Sequence, residues 1–243
     1  MKQKQIQTNF QRVETKYILD RATLARLEAE MHAYLIPDDY ATSTISNVYF
    51  DNDDFQMIQD SIARRGSREK LRMRTYAADP TKDSQVFLEI KKKSEDVGFK
   101  YRLVSNLTSV VNYIEKGLAE QTISDERVKT EVELLQERYA GLKPKMVISY
   151  DRYSMRGSED KKVRVTVDSN IRFRDYDVDL TLGRHSYPLL EDDMVIMEIK
   201  VPGEYPEWMS EILNKYGLED QSFSKYGKAY LKSKELVPQA VKV

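Results

Sequence analysis

The 243-residue sequence contains no cysteine, which excludes disulfides, thiolate metal ligands and cysteine nucleophiles. Histidine is nearly as scarce. Only His32 and His185 occur, too few for a histidine-rich metal centre and a poor basis for a Ser-His-Asp triad. His32 falls in an expected helix and His185 in an expected turn, so each reads as structural or surface. No apolar run approaches the about 18 residues that span a bilayer. The opening Met1-Lys2-Gln3-Lys4-Gln5-Ile6 lacks the apolar core of a signal peptide, and the expectation is a cytoplasmic protein. Charge of one sign is not in excess either. Lys and Arg number 39 against 40 Asp and Glu, a net charge of −1, so no global basic field points to nucleic acid as a partner. No Gly-x-x-x-x-Gly-Lys-Ser/Thr loop is present, which excludes conventional P-loop chemistry.

What the chain does have is charge sorted onto one face of strand after strand. Successive side chains of a strand point to opposite faces. In Lys70-Leu71-Arg72-Met73-Arg74 the cations therefore share one face and Leu71 and Met73 the other. Val86, Leu88 and Ile90 likewise oppose Glu89, Lys91 and Lys93, and Phe99, Tyr101 and Leu103 oppose Lys100 and Arg102. Val163, Val165 and Val167 oppose Arg164, Thr166 and Asp168, and Met197 and Ile199 oppose Glu198 and Lys200. Near the N-terminus Arg12, Glu14 and Lys16 share a face. Cations at i, i+2 can bracket a phosphate, and the planar arginine fork binds its oxygens bidentately. Any antiparallel sheet with one wet face gives the same alternation. Pattern alone leaves both readings open, a phosphate-binding face and a solvated one.

The rest of the pattern is strand-dominated with helical insertions. Asp20 is placed to cap a helix over about 21–34, with Leu24, Leu27 and Met31 at helical spacing. A strand is expected over about 46–50, and a helix over about 53–63 behind the acids Asp51, Asp53 and Asp54. Strands near 69–76, 86–93 and 98–104 read as a meander, with a turn at Asp96-Val97-Gly98. Helices over about 108–118 and 123–140 follow, the second with Val128, Val132, Leu135 and Tyr139 on one stripe. Strands resume near 145–153, 162–168, 170–176 and 194–201, and helices over about 206–216 and 222–234 complete the chain. With no repeat, low-complexity stretch or linker, the expectation is one domain over residues 1–236 and a frayed tail over 237–243.

The order Arg12-Val13-Glu14-Thr15-Lys16-Tyr17, Tyr49-Phe50-Asp51, Arg72-Met73-Arg74, Glu89-Ile90-Lys91, Lys100-Tyr101-Arg102, Ser149-Tyr150-Asp151-Arg152, Val163-Arg164-Val165, Glu198-Ile199-Lys200 and Ser224-Lys225-Tyr226 resembles the VTC-type polyphosphate polymerase domain. That domain belongs to the triphosphate tunnel metalloenzymes, with CYTH-type triphosphatases and adenylyl cyclases. The resemblance covers about residues 8–233. It implies an α+β fold: a closed antiparallel β-barrel whose interior is a charged tunnel, with peripheral helices.

It also implies roles. Arg72, Arg74, Lys91, Arg152 and Arg164 match positions that hold and activate the triphosphate. Lys16, Lys100, Tyr150, Ser224 and Lys225 match positions that bind the phosphates or the growing chain, and Arg102 and Lys200 share those faces. Glu198 matches the carboxylate that holds a divalent metal, Mn2+ or Mg2+, with Glu14 and Glu89 as additional candidates. CYTH-type members open with Glu-x-Glu-x-Lys, whereas Arg12 replaces the first glutamate here; one carboxylate fewer and one cation more shifts the balance from hydrolysis toward polymerisation. The implied activity is transfer of the ATP γ-phosphoryl to pyrophosphate or polyphosphate. An inorganic triphosphatase and a non-catalytic polyphosphate receptor are the alternatives. Translocation of product would need a separate membrane protein, with this chain peripheral at the inner membrane face.

Overall fold

A computed structural model describes residues 12–66, 68–94, 97–118 and 120–236. The side chain of Arg12, Asp96 of the expected turn and the tail 237–243 lie outside the described residues. The elements are, in chain order, β1 (Arg12–Asp20), α1 (Arg21–Met31), β2 (Leu35–Asp51), α2 (Gln56–Ala63), β3 (Arg68–Thr75), β4 (Gln85–Ser94), β5 (Val97–Asn106), α3 (Leu107–Lys116), α4 (Glu126–Arg138), β6 (Lys143–Gly157), β7 (Arg164–Arg174), β8 (Tyr187–Pro188), β9 (Met194–Pro202), α5 (Glu207–Lys215) and α6 (Lys225–Leu236).

Among the described residues the strands form one nine-stranded sheet in the order β1-β9-β7-β6-β2-β3-β4-β5, with β8 on β7. The ladders β1–β9, β9–β7, β2–β3, β3–β4 and β4–β5 are antiparallel. The fold is thus α+β around a large antiparallel sheet, and the expected closed barrel is corrected: among the described residues the ladder is open, with β1 and β5 at its two ends. Alternation fixes which face a side chain takes, but closure depends on strand number, tilt and shear, which alternation does not encode.

Three other expectations change. β2 begins at Leu35, eleven residues earlier than the alternation indicated, because its first arm is polar and largely exposed. The two strands expected at 162–168 and 170–176 are one, β7, which continues through Asn170 in a left-handed conformation with φ of 50°. α2 starts at Gln56 rather than Asp53. Its free N–H groups are met by buried Asp51, which accepts from Met57 N at 2.9 Å and Ile58 N at 3.0 Å. Asp20 caps α1 as expected, accepting from Thr23 N at 2.7 Å.

The chain divides into two compact units interleaved in sequence. Unit 1 holds the described residues up to Ser43 with Asp151–Ser169 and Glu191–Phe223; unit 2 holds Thr44–Tyr150, Asn170–Leu190 and the residues from Ser224 onward. Each has its own core. In unit 1 the apolar faces of β7 and β9 (Val165, Val167, Val195, Met197, Ile199) pack with Leu27 and Met31 of α1 and Met209 of α5. In unit 2 Leu71, Met73, Leu88 and Ile90 pack with Val110 of α3 and Val128, Val132 and Leu135 of α4. Full burial of each such side chain contributes roughly 1.5–3 kcal/mol. It also fixes the register, since a one-residue slip would turn every charged side chain into the core.

Candidate functional site: two charged sheet faces

In unit 2 the register sets Arg72 of β3 across from Glu89 of β4, and Glu89 across from Arg102 of β5. Glu89 is 1% exposed. Arg72 donates from Nε to Glu89 Oε2 at 2.9 Å and brings Nη2 to 2.8 Å of the same oxygen. Arg74 Nε stands 3.9 Å from it. Lys100 Nζ lies 2.7 Å and Arg102 Nε 3.5 Å from Oε1. Burial alone would raise the Glu89 pKa, but Arg72, Arg74 and Lys100 outweigh it and hold the carboxyl at about 2. One ionised carboxylate therefore serves four cations, and the face keeps a positive excess.

The surrounding groups fix the arginines. Arg74 donates from Nε to Asn47 Oδ1 at 2.8 Å and from Nη2 to the Tyr150 hydroxyl at 3.0 Å. Arg72 donates from Nη1 to the Tyr49 hydroxyl at 3.4 Å. Burial raises the pKa of Tyr49, but the neighbouring cations Arg72, Lys70 and Arg74 bring it down to about 8. Tyr49 stacks on Tyr226, with centroids 4.5 Å apart, and the Tyr226 hydroxyl donates to Asp51 Oδ2 at 3.0 Å. That anchorage sets the first turn of α6. Lys225 Nζ lies 4.7 Å over the Tyr150 ring, and Ser224 Oγ accepts from Lys70 Nζ at 2.8 Å. Lys91 is exposed, in register with Lys70 on one side and Lys100 on the other.

In unit 1 Glu14 of β1 and Glu198 of β9 come together around a shared Lys200. Lys16 Nζ lies 3.0 Å from Glu14, and Lys200 pairs with Glu198 and stands 3.7 Å from Glu14 Oε2. Burial raises the pKa of Glu14, and Lys200 and Lys16 overcome that to hold it at about 2. Arg152 of β6 forks onto Asp168 of β7 with Nε–Oδ1 of 2.6 Å and Nη2–Oδ2 of 2.8 Å, and Asp168 is fully buried. Arg164 donates from Nη2 to Asp38, whose other oxygen lies 3.9 Å from Arg156 Nε. A cleft of about 640 Å³ in unit 1, lined by Leu24, Tyr153, Met155, Val167 and Val195, takes the alternate residues of β6 and β7 and none of these charged groups.

The expected residues thus fall into two sets. Arg72, Arg74, Glu89, Lys91, Lys100, Arg102, Tyr150, Ser224 and Lys225 lie in unit 2; Glu14, Lys16, Arg152, Arg164, Glu198 and Lys200 lie in unit 1. Of the three carboxylates expected to hold metal, Glu14 and Glu198 meet, whereas Glu89 is committed to cations of unit 2. The sequence set Lys70 on one face with Arg72 and Arg74 but gave it no site role, and Asn47, Tyr49, Asp168 and Asp38, the partners that fix the arginines, were given none either. His32 is the exposed C-cap of α1, and His185 is exposed beside Asp177.

Among the described residues no group of three His, Asp or Glu side chains is arranged to hold a metal ion. The Glu14–Glu198 pair is an all-oxygen donor set that fits a hard divalent cation taking its remaining ligands from phosphate and water. No helix among the described residues is long and apolar enough to cross a membrane.

The chain is similar to the vacuolar transporter chaperone complex subunit 4 of Schizosaccharomyces pombe, at 24% identity over 269 residues and 90% of this chain. It spans 37% of that relative's length. Among solved structures, a candidate adenylate cyclase of Bacillus halodurans superposes with a TM-score of 0.53 at 18% identity, covering 87% of this chain and 92% of that one. Another from Vibrio parahaemolyticus gives 0.45 at 10% identity, covering 91% and 98%. The model of the VTC domain matches residues 11–234. With that match across nearly its whole length, the chain belongs to the VTC domain family.

Proposed function

We propose that this chain is a divalent-metal-assisted phosphotransferase that moves the γ-phosphoryl of ATP onto pyrophosphate or polyphosphate. The observation that carries the reading is the Glu89 cluster, in which one buried carboxylate orients two arginines and leaves the face cationic. Phosphoryl transfer asks little covalent chemistry of a protein. It needs positioned charge where the equatorial oxygens of the reacting phosphorus gain negative character. Arg72 and Arg74 are assigned to those oxygens, because their guanidinium planes are set before substrate arrives. Glu89 is assigned to orient them rather than to hold metal.

An ionised terminal oxygen of the acceptor chain attacks the γ-phosphorus in line. A new P–O bond forms, the bond to the β,γ-bridging oxygen breaks, and ADP leaves with that electron pair. The attacking oxygen carries no proton near neutral pH, so no histidine base is required. Lys16, Lys91, Lys100, Lys200 and Lys225 are assigned to the phosphate chain as point charges, with Arg102 beside them, and Tyr150 and Ser224 as hydroxyl partners. Arg152 and Arg164 each face a carboxylate, so they are assigned to phosphate as members of ion-pair networks. Glu14 and Glu198 would hold Mn2+ or Mg2+, which when bound neutralises phosphate charge.

A triphosphatase would need a base to activate water. Glu14 and Glu89, the carboxylates that could serve, are both held at about 2, which makes them weak bases. This favours transfer over hydrolysis. Likeness to a relative named as a complex subunit supports a protein partner for this chain. The test is purified protein with ATP, Mn2+ and a trace of pyrophosphate, with ADP, free phosphate and polyphosphate followed together and Glu198→Ala alongside. Polyphosphate and ADP without matching free phosphate is the expected result. Free phosphate without polymer would establish a triphosphatase, and metal-independent binding without turnover a receptor.

A further inference from the structure

Arg156 lies on β6 four residues beyond Arg152, on the same face of the strand. Its Nε and Nη1 are buried and have no hydrogen-bond partner. The nearest carboxylates stop short: Nε is 3.9 Å from Asp38 Oδ1, and Nη2 is 3.8 Å from Asp39 Oδ1, both beyond hydrogen-bond reach. Asp38 is committed instead to Arg164, which donates to its other oxygen. Arg164 in turn sits across from Lys200. Arg156 and Arg164 thus stand around a carboxylate hydrogen-bonded to only one of them.

Burying guanidinium N–H donors without acceptors is unfavourable, and the imbalance is relieved by an anion that offers several oxygens at once. A tetrahedral phosphate does so; its oxygens can reach both forks, whereas Asp38 hydrogen-bonds only one. The position along the strand identifies which phosphate. Arg156 lies four residues, about 13 Å, along β6 from Arg152. A phosphate at Arg156 is therefore a different one from a phosphate at Arg152. We infer that Arg156 adds a phosphate subsite beside Arg164, filled by a polyphosphate chain longer than a triphosphate, with Asp38 as the counter-ion that the chain displaces. This rests on the phosphate-chain reading above and adds Arg156, which the family resemblance does not assign.

The experiment is calorimetric titration of tripolyphosphate and of long-chain polyphosphate into the wild-type chain, Arg156→Gln and Asp38→Asn at one salt concentration, with melting temperatures recorded. Arg156→Gln is expected to weaken long-chain binding about tenfold and leave tripolyphosphate within about twofold. Asp38→Asn is expected to act in the opposite direction and tighten the long chain. A misfolded variant would lower both, so the opposed signs separate a subsite from a folding defect. Unchanged long-chain affinity in Arg156→Gln, equal loss for both ligands, or weakened binding in Asp38→Asn would overturn the inference. Wild-type protein that binds long polyphosphate yet transfers no phosphoryl group would overturn the proposed reaction and leave the subsite standing.

Discussion

Arg152 and Asp168 meet through two parallel hydrogen bonds, Nε to Oδ1 at 2.6 Å and Nη2 to Oδ2 at 2.8 Å, with the aspartate fully buried. Removing one partner of a buried ion pair leaves the other uncompensated. Asp168→Asn should therefore destabilise the protein by about 3–5 kcal/mol in urea denaturation. Arg152→Lys keeps the charge but loses the fork, and should cost less stability than Asp168→Asn while still lowering phosphoryl transfer. Equal stability of Asp168→Asn and wild type would show that the pair is solvated rather than buried.

The Glu89 carboxyl, held at about 2 by its cations, links stability to acid. Its ordinary value is 4.5 and its folded value is lower, so its contribution is fully present above pH 4.5 and is lost as pH falls toward 2. Glu89→Gln should be less stable than wild type at pH 7, and the gap should close over that window. Denaturation curves at a series of pH values check this, and a gap independent of pH would contradict it. The same variant should reduce kcat more than it raises KM, because the arginines lose their orientation at the transition state.

Tyr49, brought down to about 8 by Arg72, Lys70 and Arg74, should appear as an early transition among 16 tyrosines in ultraviolet titration, with Tyr76, which Arg74 and Arg102 also lower, as the other early one. The folded value lies below the ordinary 10.0, so ionisation of Tyr49 adds stability as pH rises from about 8 toward 10. Arg72→Gln should move that transition toward the ordinary tyrosine range. A titration in which Arg72→Gln and wild type coincide would place the phenol away from the guanidinium.

Tyr226 holds the first turn of α6 through its stack on Tyr49 and its bond to Asp51. Tyr226→Phe keeps the ring and removes the hydroxyl, leaving Asp51 its three backbone donors at Asn52, Met57 and Ile58. The loss should be about 1.5–3 kcal/mol in thermal or chemical denaturation. Because Ser224 and Lys225 begin the same turn, KM for the acceptor chain should rise more than kcat falls. A kcat loss with KM unchanged would argue that α6 does not position the chain.

Much of this was legible in the sequence because burial imposes a period of two on a strand. Leu71 and Met73, Leu88 and Ile90, and Val165 and Val167 all lie in the cores, as their alternation with charged residues required. Asp20 announced a helix for a local reason, its own reach to Thr23. The first arm of β2 was not legible: Pro37, Asp38, Asp39 and Tyr40 carry no apolar period, and they are strand through pairing rather than through burial. The joining of β7 turns on one left-handed residue, Asn170, which also reads as a turn. Charge alternation showed that arginines share a face with carboxylates. It could not show that Glu89 serves four cations, that Asp168 closes on Arg152, or that Glu14 rather than Glu89 joins Glu198, since each depends on which strands become neighbours.

Group transfer from ATP to a phosphate chain can be followed with γ-labelled ATP and a polyphosphate primer of defined length. Label is expected in chains longer than the primer, with one incorporated phosphate for each ADP formed and loss of both in Arg72→Gln and Glu198→Ala. Label recovered only as free phosphate, with the primer unchanged in length, would contradict group transfer.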